Sequence, residues 1–286
     1  MINIDQETIT SAVLAAQEGS PSPRLKEVMA NLVHHLHDFA REVALSEEEW
    51  FEGIRFLTRA GHITDDKRQE FILLSDVLGL STLVTAQNNT KPAGCTEATV
   101  FGPFFVEDAP RVEPGADIAN GAKGAPCVVR GQVRGLDGTP VAGAVIDVWQ
   151  ADEEGFYDVQ RPDAPGHRAR AQLASGSDGR FHFRSILAHC YPIPHDGPVG
   201  DLLTALGRHP WRPAHLHFMI QAPGFERLIT HVFRRGDPYL ESDAVFGVRS
   251  TLIADWQRHE PAGEEGEPTY SLEYDFVLNP APQAPP

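Results

Sequence analysis

The sequence predicts a mainly β protein, in which a β-sandwich follows an N-terminal α-helical region. Between residues 23 and 45, apolar side chains recur every three or four positions, which is the period of a helix. After about residue 100 the chain changes to short runs of β-branched and aromatic residues, separated by turn signals such as Asp137-Gly138 and Pro223-Gly224. Many short strands with few helices are typical of a sandwich.

Three helices are predicted before the sandwich. The apolar stripe that includes Leu25 and Phe39 predicts the first of them. Ser46 and Glu49 have the spacing of a capping box, which opens a second helix that we expect to end near Gly61. Thr64 opens a third helix that should run to residue 88. We expect residues 1–103 to form this helical domain.

The remainder of the chain, residues 104–286, is predicted to be the β-sandwich domain. Strands are expected over residues 127–133, 144–150, 180–186, 215–221, 228–234 and 271–278. One helix is predicted to interrupt them, over residues 249–258. The first strands are expected to bring their following loops to one end of the sandwich, where functional residues commonly gather.

Composition limits the classes of partner. The 286 residues include 40 Asp and Glu against 24 Lys and Arg, for a formal net charge of −16. Such a chain repels polyanions, so nucleic acid and anionic membrane surfaces are not expected partners. No apolar run approaches the roughly 18 residues of a membrane span, and the first residues lack a signal pattern. We therefore expect a cytoplasmic protein without membrane insertion.

The three cysteines, Cys95, Cys127 and Cys190, are far apart and have no C-x-x-C spacing. This excludes a disulfide framework and a thiolate zinc site as expectations. Oxygen and nitrogen donors are the remaining candidates for metal chemistry.

The stretch around His215 and His217 is the most informative part of the sequence. On a strand, residues i and i+2 project from the same face, so these two imidazoles form half of a metal site. An isolated pair of this kind more commonly has a structural role. Tyr157 and Tyr191 each follow a predicted strand, and each alone is equally explained as an aromatic residue at the sandwich edge. Two phenolates and two imidazoles together would suit Fe(III) better than Zn(II) or Cu(I).

These residues carry a resemblance to a known family. Tyr157, Tyr191 and the run from Arg212 to His217 match, in order and approximate spacing, the pattern of the intradiol ring-cleaving dioxygenases. The similarity extends through residues 96–104, 143–151 and 236–240 and through the helical N-terminus. Within the family, residues 69–76, 191–198 and 243–246 are most similar to the hydroxyquinol-cleaving members.

The resemblance implies a mononuclear non-haem Fe(III) held by Tyr157, Tyr191, His215 and His217. It implies that O2 cleaves the ring of hydroxyquinol (1,2,4-trihydroxybenzene), with catechol or chlorocatechol as the alternative substrate. Tyr191 is the ligand expected to leave the metal and take a substrate proton. Arg212 is expected to stabilise negative charge that develops on the ring, although a surface ion pair is its structural alternative.

The resemblance also implies the lining of the substrate pocket. The expected lining residues are Leu73, Asp76, Val100, Phe101, Gly102, Pro103, Phe104, Ile193, Pro194, Arg212 and Val245. Asp76 lies in an otherwise apolar stretch and is the candidate partner for the third ring hydroxyl. Its alternative is a carboxylate on the helix surface. His231 stands where the catechol-cleaving relatives commonly have glutamine.

The family resemblance implies a homodimer joined through the N-terminal helices, with a phospholipid bound in that interface in some members. Two further classes stay open at this point. One is a non-catalytic, transthyretin-like sandwich, which the run over residues 141–149 would suit. The other is a zinc hydrolase that uses His215 and His217, although the sequence lacks H-E-x-x-H or a comparable third-ligand spacing.

Overall fold

The computed structural model describes residues 2–65, 68–161, 166–261 and 267–282. The chain divides into two compact units, Met1–Arg59 and Ala60–Pro286. Mainly β architecture with a helical N-terminal region is therefore confirmed. The functional boundary at residue 103 stays a prediction.

The first unit contains helices α1 (Ile9–Ala16) and α2 (Pro23–Glu42) and most of α3 (Glu47–Ile63). The predicted capping box is present, because the Glu49 amide donates to Ser46 Oγ (3.2 Å) and the Ser46 amide donates to the Glu49 carboxylate (2.9 Å). Helix α1 was not predicted from the sequence. It has only 8 residues and no side-chain cap, so the usual start signal is missing.

The prediction of one continuous helix over residues 64–88 is wrong. The structure has two helices, α4 (Glu70–Val77) and α5 (Leu80–Asn88), which meet at an angle of 78°. Gly79 lies between them with φ of 75°, a left-handed conformation that ends a helix at little cost only in glycine. Among the described residues no single helix meets the length and hydropathy of a membrane span, and α4 with α5 meets it only as a bent pair.

Most of the second unit is built from three sheets. The strands are β1 Pro126–Gly135, β2 Val145–Trp149, β3 Arg170–Ala174, β4 Arg180–Ile186, β5 Tyr191–Pro192, β6 Trp211–Arg212, β7 His215–Gln221, β8 Leu228–Arg234, β9 Ile253–Ala254, β10 Trp256–His259, β11 Thr269–Glu273 and β12 Phe276–Leu278. The first sheet has the strand order β10-β11-β1-β12, and β4 also pairs with β1. The second sheet has the order β3-β2-β7-β8-β9, and the third is the pair β5-β6. Helix α6 (Pro198–Ala205) connects β5 to β6.

Two sequence predictions in the second unit are wrong. The helix expected over residues 249–258 is a 3-10 turn (Ser250–Leu252) followed by β9 and β10. Here β10 pairs with β11, and this non-local pairing overrides the local apolar spacing. The single strand expected over residues 271–278 is divided into β11 and β12, which both lie parallel to β1.

The core lies between the two five-stranded sheets, and β7 shows how it positions the site. Leu216 and Phe218 point into the core, where Phe218 packs on Phe181 of the opposite sheet with ring centroids 6.4 Å apart. His215 and His217 alternate with them along the strand and therefore project from the other face. Because β7 is hydrogen-bonded to β2 on one side and β8 on the other, both imidazoles stand on a rigid central strand.

Candidate active site

The four predicted ligands come together on the outer face of β7. The Tyr157 hydroxyl donates to the Tyr191 hydroxyl at 3.0 Å and lies 2.9 Å from His217 Nε2. His217 Nε2 lies 3.2 Å from His215 Nε2. All four side chains are buried. Two phenol oxygens and two imidazole nitrogens therefore lie close together at this site.

The spacing of these atoms fits one metal ion. Oxygen and nitrogen ligands lie about 2.0–2.2 Å from a transition metal, so two neighbouring ligand atoms at right angles are about 3 Å apart. The observed separations of 2.9–3.2 Å have this value. One ring nitrogen each of His215, His217 and His231 also lie within 4.8 Å of one another. The residues at this position could therefore hold one metal ion.

Different elements bring the four ligands together. His215 and His217 come from β7, whereas Tyr191 lies on β5, directly opposite Arg212 of β6. Tyr157 follows β2 at the start of a 3-10 turn, and its amide donates to Gln160 Oε1 at 2.9 Å. Only the histidine pair is local in sequence.

Both imidazoles are neutral, and a hydrogen bond holds His215 in the tautomer that binds metals, whereas His217 Nδ1 has no partner among the described residues. His215 Nδ1 lies 2.6 Å from the Pro213 carbonyl and therefore donates to it, which leaves the lone pair of Nε2 directed at the site. Burial, with the nearby charge of Arg212, lowers the pKa of His215 to about 3. Burial also lowers the pKa of His217 well below its usual value. Neutral imidazoles need lose no proton when a metal binds.

Tyr157 has the opposite electrostatic setting. Burial, followed by the neighbouring Tyr191, raises the pKa of its phenol well above 10. Ionisation of this phenol therefore requires a strong Lewis acid at the site. Two anionic oxygens with two neutral nitrogens form a hard donor set, which favours a trivalent ion such as Fe(III) over Zn(II).

Arg212 is part of a buried ion pair, so the surface ion pair considered from the sequence is wrong. Its Nε and Nη2 atoms lie 3.1 and 3.3 Å from the two oxygens of Asp243, and both side chains are at most 4% exposed. Burial alone would lower the pKa of Arg212, but Asp243 and the nearby Tyr191 raise it, so the guanidinium stays charged. Its Nη1, which Asp243 does not contact, lies within hydrogen-bond distance of His215 Nε2, at 3.3 Å.

Sequence reasoning did not assign a role to Asp243. It lies 31 residues beyond its partner, in the segment after β8. No short-range spacing connects the two residues, so only the folded chain shows the pair.

A cavity of about 440 Å³ is lined in part by residues 192–196, which follow Tyr191. The predicted pocket residues that line it are Leu73, Pro103, Phe104, Ile193 and Pro194. The others, which do not line this cavity, are Asp76, Val100, Phe101, Gly102, Arg212 and Val245. Among these, Val100 and Val245 are buried, whereas Phe101 is 38% exposed and has its ring edge-on to Trp149.

Asp76 lies on α4 and is only 5% exposed, so the alternative of a helix-surface carboxylate is wrong. Burial raises its pKa, and a hydrogen bond with Ser81 and the charge of Arg212 act against that rise. A buried carboxyl group near Arg212 is suited to receive a polar group of a ligand.

His231 is a third buried imidazole at the site, outside the predicted ligand set. It lies directly opposite His217 on β8, with ring centroids 4.1 Å apart. Its Nδ1 lies 2.7 Å from Thr99 Oγ1, and its Nε2 has no partner among the described residues. The alternation along β8 limits His231 to one face of the strand, and the pairing register with β7 then places it beside His217.

Gly102 lies against the His217 ring, and its replacement provides a test of that contact. We expect Gly102→Ala to lower the metal content, since the added Cβ would lie 3.2 Å from His217 Cε1. Its φ of 76° adds a strain of about 1–2 kcal/mol for alanine. Gly138→Ala is the matched control, because Gly138 has φ of 82° and open space around it. Metal analysis and thermal unfolding should show similar destabilisation in both variants but metal loss only in Gly102→Ala; equal metal contents would contradict the contact.

The fold and the site together define a class of protein. Two family models match the chain, that of the catechol dioxygenase N terminus over residues 22–96 and that of the dioxygenases over residues 100–280. The chain therefore belongs to the intradiol dioxygenase family, as its sequence motifs predicted, and it is an enzyme of that class. The non-catalytic sandwich and the zinc hydrolase are not supported.

Individual relatives are similar over nearly the whole chain. A 6-chlorohydroxyquinol 1,2-dioxygenase from Cupriavidus pinatubonensis is 62% identical, over 98% of this chain and 99% of the relative. A hydroxyquinol 1,2-dioxygenase from Nocardioides simplex is 52% identical, over 96% of each. The crystal structure of hydroxyquinol 1,2-dioxygenase from Pseudomonas putida DLL-E4 superposes with a TM-score of 0.90 at 48% identity, covering 96% of this chain and 99% of that one.

Proposed function

We propose that this protein is an Fe(III)-dependent intradiol dioxygenase that cleaves hydroxyquinol with O2 to 3-hydroxy-cis,cis-muconate, a tautomer of maleylacetate. The convergence of two phenol oxygens and two imidazole nitrogens at 2.9–3.2 Å carries the proposal. The names of the relatives support the substrate. Because the chlorinated analogue appears among those names, 6-chlorohydroxyquinol is the second candidate substrate.

Tyr157, Tyr191, His215 and His217 would hold the iron. Bound there, Fe(III) would act as a Lewis acid that withdraws electron density from the diol and prepares the ring for O2. The protein must then supply a proton acceptor, a charge partner and a water-excluding pocket.

Tyr191 is the phenol best placed to take a proton from the substrate. Neighbours of both tyrosines line the cavity, among them Phe156 and Ile193, but Tyr191 keeps 4% of its surface exposed whereas Tyr157 has none exposed. We therefore expect a diol in the cavity to transfer a hydroxyl proton to the Tyr191 oxygen, as the family resemblance implies.

Arg212 would stabilise the negative charge that develops on the ring. Asp243 occupies two of its nitrogens and fixes the guanidinium, while Nη1 points toward His215. A positive group held in place before the reaction needs no reorganisation as charge develops. The apolar cavity residues Leu73, Phe104 and Ile193 would exclude water from the ring.

Asp76 is expected to recognise the third hydroxyl of hydroxyquinol. We expect Asp76→Ala to lower kcat/KM for hydroxyquinol about 5- to 150-fold more than for catechol, since loss of a buried hydrogen-bond partner costs about 1–3 kcal/mol. Asp147→Ala is the control, because Asp147 is a buried carboxylate of β2 that pairs with Gln172. Steady-state oxygen uptake with both diols checks this, and an equal loss on both substrates in Asp76→Ala would remove the role.

The proposed function is tested by the purified wild-type protein. It should be reddish, contain one iron per chain, and consume one O2 per hydroxyquinol with both oxygen atoms from 18O2 in the dicarboxylate. A colourless protein that contains zinc, or a product with oxygen from water alone, would contradict it. Parallel assays with catechol and 6-chlorohydroxyquinol rank the candidate substrates.

A homodimer joined through the N-terminal helices is part of the proposal. Helix α2 and the residue after it expose an apolar stripe made of Leu25, Val28, Leu32, Leu36, Phe39 and Val43. Such a face is typical of an interface, and the family resemblance implies that a phospholipid can bind there. Sedimentation and mass spectrometry of extracted lipids test both statements, and a monomer at micromolar concentration would contradict the first.

The three cysteines are free thiols, which fits a reducing compartment, and we therefore place the protein in the cytoplasm.

A further inference from the structure

The segment that carries Tyr157 is held by a buried ion pair. Asp158, the next residue, accepts from Arg170 of β3 in a bidentate arrangement, with Nε at 3.0 Å from Oδ2 and Nη2 at 2.7 Å from Oδ1. The two side chains are only 2% and 3% exposed. Asp158 also accepts from the Arg168 amide at 3.2 Å. The turn after Tyr157 is therefore fixed to the sheet by charged hydrogen bonds.

Arg170 is in the same row of the sheet as a second ligand. Trp149 lies directly opposite Arg170 on β3 and directly opposite His217 on β7. Residues that are opposite in an antiparallel sheet share a face, and the Trp149 indole stacks on the His217 ring at 4.8 Å and 15°. One row of side chains thus supports His217 through stacking and Tyr157 through Arg170 and Asp158.

A buried ion pair at this position has a cost and needs a reason beyond stability. Two buried charges are often no better for stability than two apolar side chains of similar volume. The pair lies one residue from Tyr157 and is almost fully buried, so water screens its two charges only weakly. The ligand set and the cavity lining described above do not include this pair.

We propose that Arg170 and Asp158 are positioning residues for the Tyr157 ligand: their buried, bidentate ion pair fixes the turn that carries the phenol oxygen. This inference rests on the proposed function, because it assigns the phenolate to iron. Removal of either charge of the pair should therefore change the energy of the iron-bound phenolate as well as its position.

The test uses the iron-loaded, full-length protein and the visible absorption in which an electron moves from phenolate to Fe(III). Asp158→Asn leaves the positive charge unopposed near the phenolate, lowers the energy of the phenolate electrons, and should move the band to shorter wavelength. Arg170→Gln leaves the carboxylate and should move the band to longer wavelength. Both variants should lose iron to a ferric chelator about 10–100-fold faster, as for other groups that support metal ligands.

A role in folding alone would move the band equally or leave it unchanged in the two variants, and either result would overturn the proposal. Arg130→Gln is the control, since Arg130 forms an exposed ion pair with Glu273 (61% and 68% exposed). It should retain the wild-type band and iron.

If one single variant does not fold, the double variant Asp158→Asn/Arg170→Gln keeps the proposal falsifiable, because it leaves no unpaired charge. It should fold and lose iron at least tenfold faster than wild type; iron retention at the wild-type rate would overturn the proposal. A wild-type protein without iron or a visible band would instead contradict the proposed function, so the two failures are distinguishable.

Discussion

Replacement of His217 by alanine should remove the bound iron and with it all turnover. His217 Nε2 is the atom of the cluster that lies near both Tyr157 and His215, at 2.9 and 3.2 Å. Its loss leaves a three-ligand set and opens a space between the Trp149 and His231 rings. Iron analysis and oxygen uptake on the same preparation measure both effects.

Two further variants make this result specific. Tyr191→Phe should retain iron, because Tyr191 is the ligand that leaves the metal when the diol binds. It should shift the visible band and slow turnover, because it removes one phenolate and the proton acceptor. His182→Ala, on the exposed face of β4, should leave iron and rate unchanged. Full activity with an unchanged spectrum in Tyr191→Phe would contradict the ligand assignment.

Replacement of Arg212 by glutamine should lower kcat by about 10²–10³, the effect of removing one preorganised charge-stabilising group. It should also lower the free energy of unfolding by about 3–5 kcal/mol, since Asp243 is left buried without a partner. Pre-steady-state kinetics and denaturant unfolding separate the two effects.

Two comparison variants test whether the effect of Arg212→Gln comes from the lost charge and from the burial of the ion pair. Arg212→Lys retains the charge but loses the two-pronged contact to Asp243, so kcat should fall less and stability should still fall. Arg235→Gln breaks an exposed pair with Asp255 and should cost at most about 1 kcal/mol with no change in kcat. A wild-type kcat in Arg212→Gln would exclude the electrostatic role.

The sequence predicted the elements whose signals are local. The Ser46 capping box and the alternation along β7 depend on residues within a few positions of one another, and the structure has both. The break at Gly79 was missed because an isolated glycine does not by itself end an apolar helical pattern. Strand β10 was missed because it forms only through its pairing with β11.

In the candidate site, too, the sequence predicted the features that depend on neighbouring residues and missed those that depend on distant ones. The paired imidazoles followed from strand geometry, whereas the approach of Tyr157 to Tyr191 came from family resemblance, since 34 residues separate them. The ion pairs Arg212–Asp243 and Arg170–Asp158 had no signal in the sequence, because each joins side chains from different elements. These two ion pairs, which contact or adjoin the predicted ligands, are thus the part of the site that only the folded structure shows.

The binding of one ferric ion by two phenol oxygens and two imidazole nitrogens can be tested by diffraction from crystals of the iron-loaded protein. Data are collected at wavelengths on both sides of the iron absorption edge. We expect a single anomalous peak about 2 Å from the side chains of Tyr157, Tyr191, His215 and His217. A peak at any other place in the chain, or none in protein that turns over hydroxyquinol, would contradict it.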